Sequence, residues 1–89
     1  MQVFASSIST INELRHHLAR RRKQIGISQR DFEDLIGVTS GYASKLECGM
    51  RGFGDVSLPA YLSALGLKLA LVEADEPLPR SVRTFLGQN

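Results

Sequence analysis

Four basic residues run together as Arg20-Arg21-Arg22-Lys23, two histidines adjoin as His16-His17, and the single cysteine, Cys48, follows Glu47. Each type can do chemistry, and its spacing decides which. Neighbouring histidines on a helix point about 100° apart, a poor geometry for gripping one metal ion. One cysteine can neither complete a zinc knuckle nor close an internal disulfide, and Cys48 has no triad partner apparent in the sequence. Gly49, Gly52 and Gly54 punctuate a loop, but no strand precedes them and no lysine follows in register, so they form no phosphate-binding fingerprint. No metal, cofactor or catalytic activity is therefore expected. What remains is charge and hydrogen bonding. Residues 1–51 carry eight Lys/Arg against five Asp/Glu, whereas residues 52–89 carry three against four. A basic half invites a polyanion, although a solvated helix face accounts for the Arg20–Lys23 run equally well.

The 89 residues suffice for one domain with a core just large enough to stand alone. Ordinary apolar and charged fractions argue against disorder. No run approaches the ~20 apolar residues of a membrane span, no signal sequence opens the chain, and nothing in the cysteine usage argues for secretion. A cytoplasmic location is expected.

The elements that must position the polar residues follow from pattern. Residues 1–9 read as a short arm in which Val3 and Phe4 suit a strand. Thr10 and Glu13 make a capping box that starts a first helix, with Ile11, Leu14, Leu18 and Ile25 on one face. Arg22 falls on that face too, four residues after Leu18, and a charge there needs a partner. Gly26 ends this helix, and Ser28 caps a second, with Asp31 three residues on and Phe32, Leu35 and Ile36 as its inward stripe. Gly37 suits a turn of positive φ, and Val38 plugs the corner. Thr39 caps a third helix with Ala43, Leu46 and Glu47 inward, stopped by Gly49. The following loop folds Phe53 back onto the core. Ser57 caps a fourth helix, with Pro59 in its first turn and Leu58, Tyr61, Leu62 and Leu65 inward, closed by Gly66. After residues 10–66 the period changes. Leu67, Leu69 and Leu71 alternate with Lys68, Ala70 and Val72, predicting a strand over 67–73 that must find another edge. Pro77 and Pro79 keep the tail, 74–89, extended, with Val82, Phe85 and Leu86 at i, i+3 and i+4 near its end.

Two such short helices joined by a glycine-containing turn describe a helix-turn-helix. Counted from Gln29, the unit needs apolar residues fourth, eighth, tenth and eighteenth and a glycine ninth, which Phe32, Ile36, Val38, Leu46 and Gly37 satisfy. Here the chain resembles the lambda-repressor/Cro-like, or XRE, family of DNA-binding domains. The matching stretches are "RRRKQIGISQ", "GVTSGYASKLECG" and "LPAYLSALG", so the resemblance covers about Ile11 to Leu67. It implies a mainly α fold of four core helices, here with a C-terminal β-strand that pairs across a dimer. One position departs from the pattern. The fifth residue, normally small where the two helices cross, is Glu33, so either the glutamate bends outward or the crossing widens.

Carried over residue by residue, the resemblance makes 39–47, opened by Thr39, the recognition helix. Ser40, Gly41, Ser44 and Lys45 match base-edge positions, and Tyr42 matches a phosphate-facing one. Lys45 can donate to guanine O6/N7, whereas serine hydroxyls discriminate weakly and Gly41 offers only room. The N-terminus of helix two, at Ser28, favours a phosphate; Gln29 can bond one and brace the recognition helix; Arg51 grips the backbone just past helix three. The resemblance also pairs Arg22 with Glu47 in a structural salt bridge. The implied function is sequence-specific binding of double-stranded DNA as a transcriptional regulator, a repressor acting as a homodimer on a palindromic operator through the recognition helix 39–47. The strand's need for an edge sets the dimer contact at Leu67, Leu69 and Leu71 of two copies, with the Val3–Phe4 arm as the other candidate edge. The runner-up is an antitoxin that binds a toxin protein, because "LGLKLALVE" and the tail are similar to the C-terminal strand and tail of HipB-like antitoxins.

Overall fold

The computed structural model describes residues 8–87, which form five helices: α1 (Ile11–Ile25), α2 (Gln29–Ile36), α3 (Tyr42–Glu47), α4 (Ser57–Ala64) and α5 (Arg80–Phe85). Val3 and Phe4, expected as a strand, lie outside the described residues. The first four helices pack around one core, with α3 lodged between α1 and α2 and α4 against α2. None of the helices among the described residues is long and apolar enough to cross a membrane.

Capping starts the first two helices as expected. Thr10 Oγ1 accepts the Glu13 N–H at 3.1 Å, and Ser28 Oγ accepts the Asp31 N–H at 3.0 Å. Glu13 reaches back one residue further than a capping box requires, taking the Ser9 N–H at 2.7 Å. Ile11 and Ile25, expected inward, are exposed, because they are the end residues of α1 and the shorter helices cover only its middle. Leu35 is likewise exposed. At about 100° per residue the buried face of α2 runs through Phe32, Ile36 and Glu33, and Leu35 falls outside that arc.

The third helix begins later than the sequence suggests, and the fourth begins one residue earlier, with Val56 rather than Ser57 at its N-cap. Ser40 and Gly41 form a turn, closed by the Tyr42 N–H on the Thr39 carbonyl at 3.1 Å, and α3 starts at Tyr42 with Gly41 as its N-cap and no side-chain cap. Gly41 has φ +85°, a left-handed conformation that a side chain would strain, so glycine serves the backbone here. Ser57 is the first residue of α4, and its hydroxyl takes the Gly54 N–H at 2.9 Å, which ties the loop down. Phe53 packs against the core from that loop.

The strand expected over 67–73 does not form among the described residues. Leu67 packs on the core, while Leu69, Leu71 and Val72 are exposed. A ladder needs a second edge, and the described chain brings none to this segment. The tail ends in α5, a six-residue helix that buries no residue.

At the centre Phe32 and Tyr61 are fully buried and meet edge to face, ring centres 4.6 Å apart. Burying such a side chain contributes roughly 1.5–3 kcal/mol. The Tyr61 hydroxyl, however, is buried with no hydrogen-bond partner among the described residues. Burial pushes its pKa well above the ordinary phenol value, and the nearby Glu47 carboxylate adds to the rise. The folded state therefore holds this proton more tightly than the unfolded state, so stability is lost as pH climbs past the unfolded value of about 10. Tyr61→Phe removes both the unpartnered hydroxyl and this titration. Denaturant melts should find it within about 1 kcal/mol of the unmodified protein, or more stable, at neutral pH. Above about pH 10 it should lose less stability than the unmodified chain.

Candidate nucleic-acid interface

The Glu47 carboxylate joins three helices. Arg22 Nε donates to Oε2 at 2.8 Å and Nη2 to Oε1 at 3.0 Å, a two-pronged ion pair from α1 to the last residue of α3. Both side chains are nearly buried, 7% and 10% exposed, so solvent screens the pair little. The hydrogen bond to Glu47 raises the Arg22 pKa against the opposing effect of desolvation. Arg22 Nη1 donates to the Ile27 carbonyl at 2.7 Å, and Gln29 Nε2, from the start of α2, donates to Glu47 Oε1 at 3.2 Å.

Glu33 neither bends outward nor lies idle in a widened crossing. It turns inward, 4% exposed, and its Oε2 accepts the Ala43 N–H at 2.8 Å. That N–H belongs to the first turn of α3, where no intrahelical partner exists and no residue of α3 supplies a cap. A carboxylate from α2 thus caps α3 across the helix crossing, where the small Ala43 leaves it room.

These two carboxylates fix both ends of α3, and the remaining side chains of this region divide accordingly. Thr39, Ser40, Ser44 and Lys45 are exposed, while Ala43 and Leu46 are buried beneath them. Tyr42, expected to face a phosphate, is instead 6% exposed and packs toward Tyr61, ring centres 6.5 Å apart. As the first residue of the shortened helix it turns into the core. Arg51 is exposed, with its guanidinium carbon 4.4 Å over the Tyr42 ring. Ser28 spends its side-chain oxygen on capping α2, and half-buried Gln29 braces α3 through Glu47.

The basic run of α1 also divides. Arg20 and Lys23 are exposed, but Arg22 is paired, and Arg21 Nε donates to the Leu65 carbonyl at 3.0 Å, capping the end of α4. Arg15 was not anticipated. It is buried, and its Nη1 donates to the carbonyls of Leu46 and Arg51, satisfying the end of α3. A signal for it existed: Arg15 lies two helical turns before Arg22, hence on the same inward face.

Denaturant melts should separate the two carboxylates. Glu47→Ala leaves Arg22 buried and unpaired and should cost roughly 3–5 kcal/mol, much of it recovered when Arg22 is also made apolar. Glu33→Ala strips one cap from a buried N–H and should cost about 1–3 kcal/mol.

The comparisons agree with this geometry. The family model described as helix-turn-helix, HTH_3, matches residues 18–72, more than half of the chain and all of α2, α3 and α4. Among curated proteins and among solved structures no match was found. Helix-turn-helix domains of this kind are DNA-binding regulator domains and not enzymes. With Ser28-capped α2, the Gly37 turn and α3 locked between them inside the matched stretch, the chain belongs to the helix-turn-helix family.

Proposed function

We propose that the protein is a sequence-specific transcriptional regulator, a repressor that binds a palindromic operator as a homodimer with α3 in the major groove. The observation that carries this reading is the two-faced character of residues 39–47. Ser40, Ser44 and Lys45 stand free in solvent on a backbone whose other face is pinned by Glu33, Glu47 and Leu46. A base-reading helix needs side chains that are unengaged and a frame that does not move. Lys45 supplies a donor for guanine O6/N7, the two serines and Thr39 short-range hydrogen bonds, and Gly41 close approach. Arg51, Gln29 and the N-terminus of α2 at Ser28 face the phosphates. A domain of this size acts most simply by occupying a promoter.

Binding-site selection from random DNA followed by gel-shift titration tests the reading. Lys45→Ala should cost about 1–3 kcal/mol on the selected site and relax preference at one base pair per half-site. Unchanged affinity and unchanged selectivity would remove Lys45 from the interface. Recovery of no preferred sequence would overturn sequence-specific recognition.

One domain touches few base pairs, so useful specificity calls for two at half-sites one helical turn apart. Exposed Leu69 and Leu71, together with the backbone of 68–73, which has no ladder partner among the described residues, support pairing of this segment with its own copy about a two-fold axis. Centred on Ala70, an antiparallel ladder sets Leu69 opposite Leu71 twice over on one face. Ala70→Pro removes a ladder donor at the axis and should convert the dimer to monomer in sedimentation, whereas an unchanged dimer would exclude this segment.

The second reading, an antitoxin or other partner-binding regulator, draws on α5. Phe85 is 88% exposed and Val82 and Leu86 are exposed beside it, an apolar face without a cover in the described chain. Co-purification of a toxin encoded beside it, lost on deleting residues 79–89, would establish that reading.

A further inference from the structure

Arg51 is held from both sides of its peptide. Its N–H donates to the Lys45 carbonyl at 3.2 Å, and its carbonyl accepts from Arg15 Nη1 at 2.7 Å. The same nitrogen donates to the Leu46 carbonyl at the end of α3. Arg15 is buried, its guanidinium carbon 5.1 Å from the centre of the Phe53 ring. The Arg51 guanidinium lies out in solvent, 4.4 Å over the buried Tyr42 ring. Main chain and side chain of Arg51 are thus both referenced to α3, one through Arg15 and one through Tyr42. The ring contact uses no N–H donor, so the guanidinium fork stays available for two oxygens of an anion.

Resting on the DNA-binding reading above, we infer that Arg15 is a positioning residue that presents Arg51, stacked on Tyr42, as a preformed clamp for a DNA phosphate. An arginine ordered only on contact loses rotamer freedom at that moment, whereas one already held does not. Arg15 touches no DNA and acts through the Arg51 carbonyl. Arg15 itself precedes residues 18–72, whereas Tyr42, Leu46 and Arg51 lie within the matched family stretch. Because Arg15 bridges Leu46 to Arg51, the phosphate clamp and the end of α3 move as one body. Register on the backbone and register on the bases are thereby coupled.

The test is a double-mutant cycle in the full chain, titrated onto a mixed-sequence duplex between about 50 and 200 mM salt. Arg51→Ala should lower the slope of log affinity against log salt by about 0.9, so that it loses about 3.5-fold less affinity than the unmodified protein over that range. Arg15→Met, verified as folded by circular dichroism, should lower the slope by a comparable amount, and adding Arg51→Ala should lower it no further. A purely structural arginine would change stability and leave the slope of the folded protein intact. Retention of the full slope by Arg15→Met, or full additivity of the two changes, overturns the proposal. An unchanged slope in Arg51→Ala overturns the clamp while DNA binding stands. Failure of the unmodified protein to bind any duplex overturns the DNA-binding reading and the clamp together. Should Arg15→Met not fold, NMR of the unmodified, DNA-free protein decides. Arg51 side-chain protons shifted upfield by the Tyr42 ring support a preformed clamp, and random-coil shifts overturn it.

Discussion

The arrangement of α1, α2 and α3 turns first on one nearly buried carboxylate. Glu47 accepts two N–H groups from Arg22 and one from Gln29, and Arg22 in turn satisfies the Ile27 carbonyl between α1 and α2. Withdrawing these groups from water is costly, and only a complete set of partners offsets that cost. Such a set has a narrow range of geometries that fulfil it. Apolar packing alone, which tolerates sliding and rotation, would leave the angle between α1 and α3 loosely defined. The ion pair is thus better understood as a device for orientation than as a source of stability.

The need for orientation follows from helix length. A helix of six residues, such as α3, has nearly all of its backbone groups in its first or last turn, and cannot persist by its own hydrogen bonds. Its neighbours complete it. Glu33 takes an N–H at one end, and Arg15 takes the Leu46 carbonyl at the other. Arg21 does the same for α4 at Leu65. The charges match the ends they serve, a carboxylate at the N-terminus and guanidinium groups at the C-termini, so dipole and hydrogen bond act in the same sense. A run of arginines that reads as a patch for an outside polyanion is therefore largely spent on the inside of the molecule. Arg20 and Lys23 keep the outward character.

Local features were legible in the sequence for physical reasons that also set their limit. Thr10, Ser28, Gly26 and Gly37 act on atoms within a few residues of themselves, so their types announce caps and turns directly. Arg22 and Glu47 could be paired because each sits on an apolar face where an unpartnered charge is intolerable. Glu33 stood out only as a large residue where the pattern has a small one, and its inward turn could not be read, since its partner is a backbone N–H in another helix and every residue but proline has one. Thr39 misled for a related reason. A hydroxyl before an apolar run suits a cap, but the backbone at Gly41 already adopts a left-handed conformation and starts α3 three residues later. Tyr42 then moves from the surface to the core. The segment over 67–73 carries a strand's alternation without a strand's partner, and alternation alone does not provide hydrogen bonds.

The chemistry left on the outer face has a consequence for the proposed complex. Ser40 and Ser44 are short, and Gly41 carries nothing, so contact with base edges requires the α3 backbone to approach the groove floor closely. Short side chains cannot compensate for a misplaced helix as long ones can. Lys45 is long but presents a compact charge on a flexible stem, and it discriminates bases less sharply than a fork-shaped arginine. With so little reach on the reading face, selectivity in the proposed complex falls to the rigidity of the frame and to the second copy that the proposal calls for. The carboxylates at both ends of α3 meet the first demand, and the segment after α4, without a ladder partner among the described residues, is where the proposal sets the second. Few reading groups on a mounting held at both ends by Glu33 and Glu47 make the position of the α3 backbone, rather than the reach of its side chains, the quantity on which the proposed recognition depends.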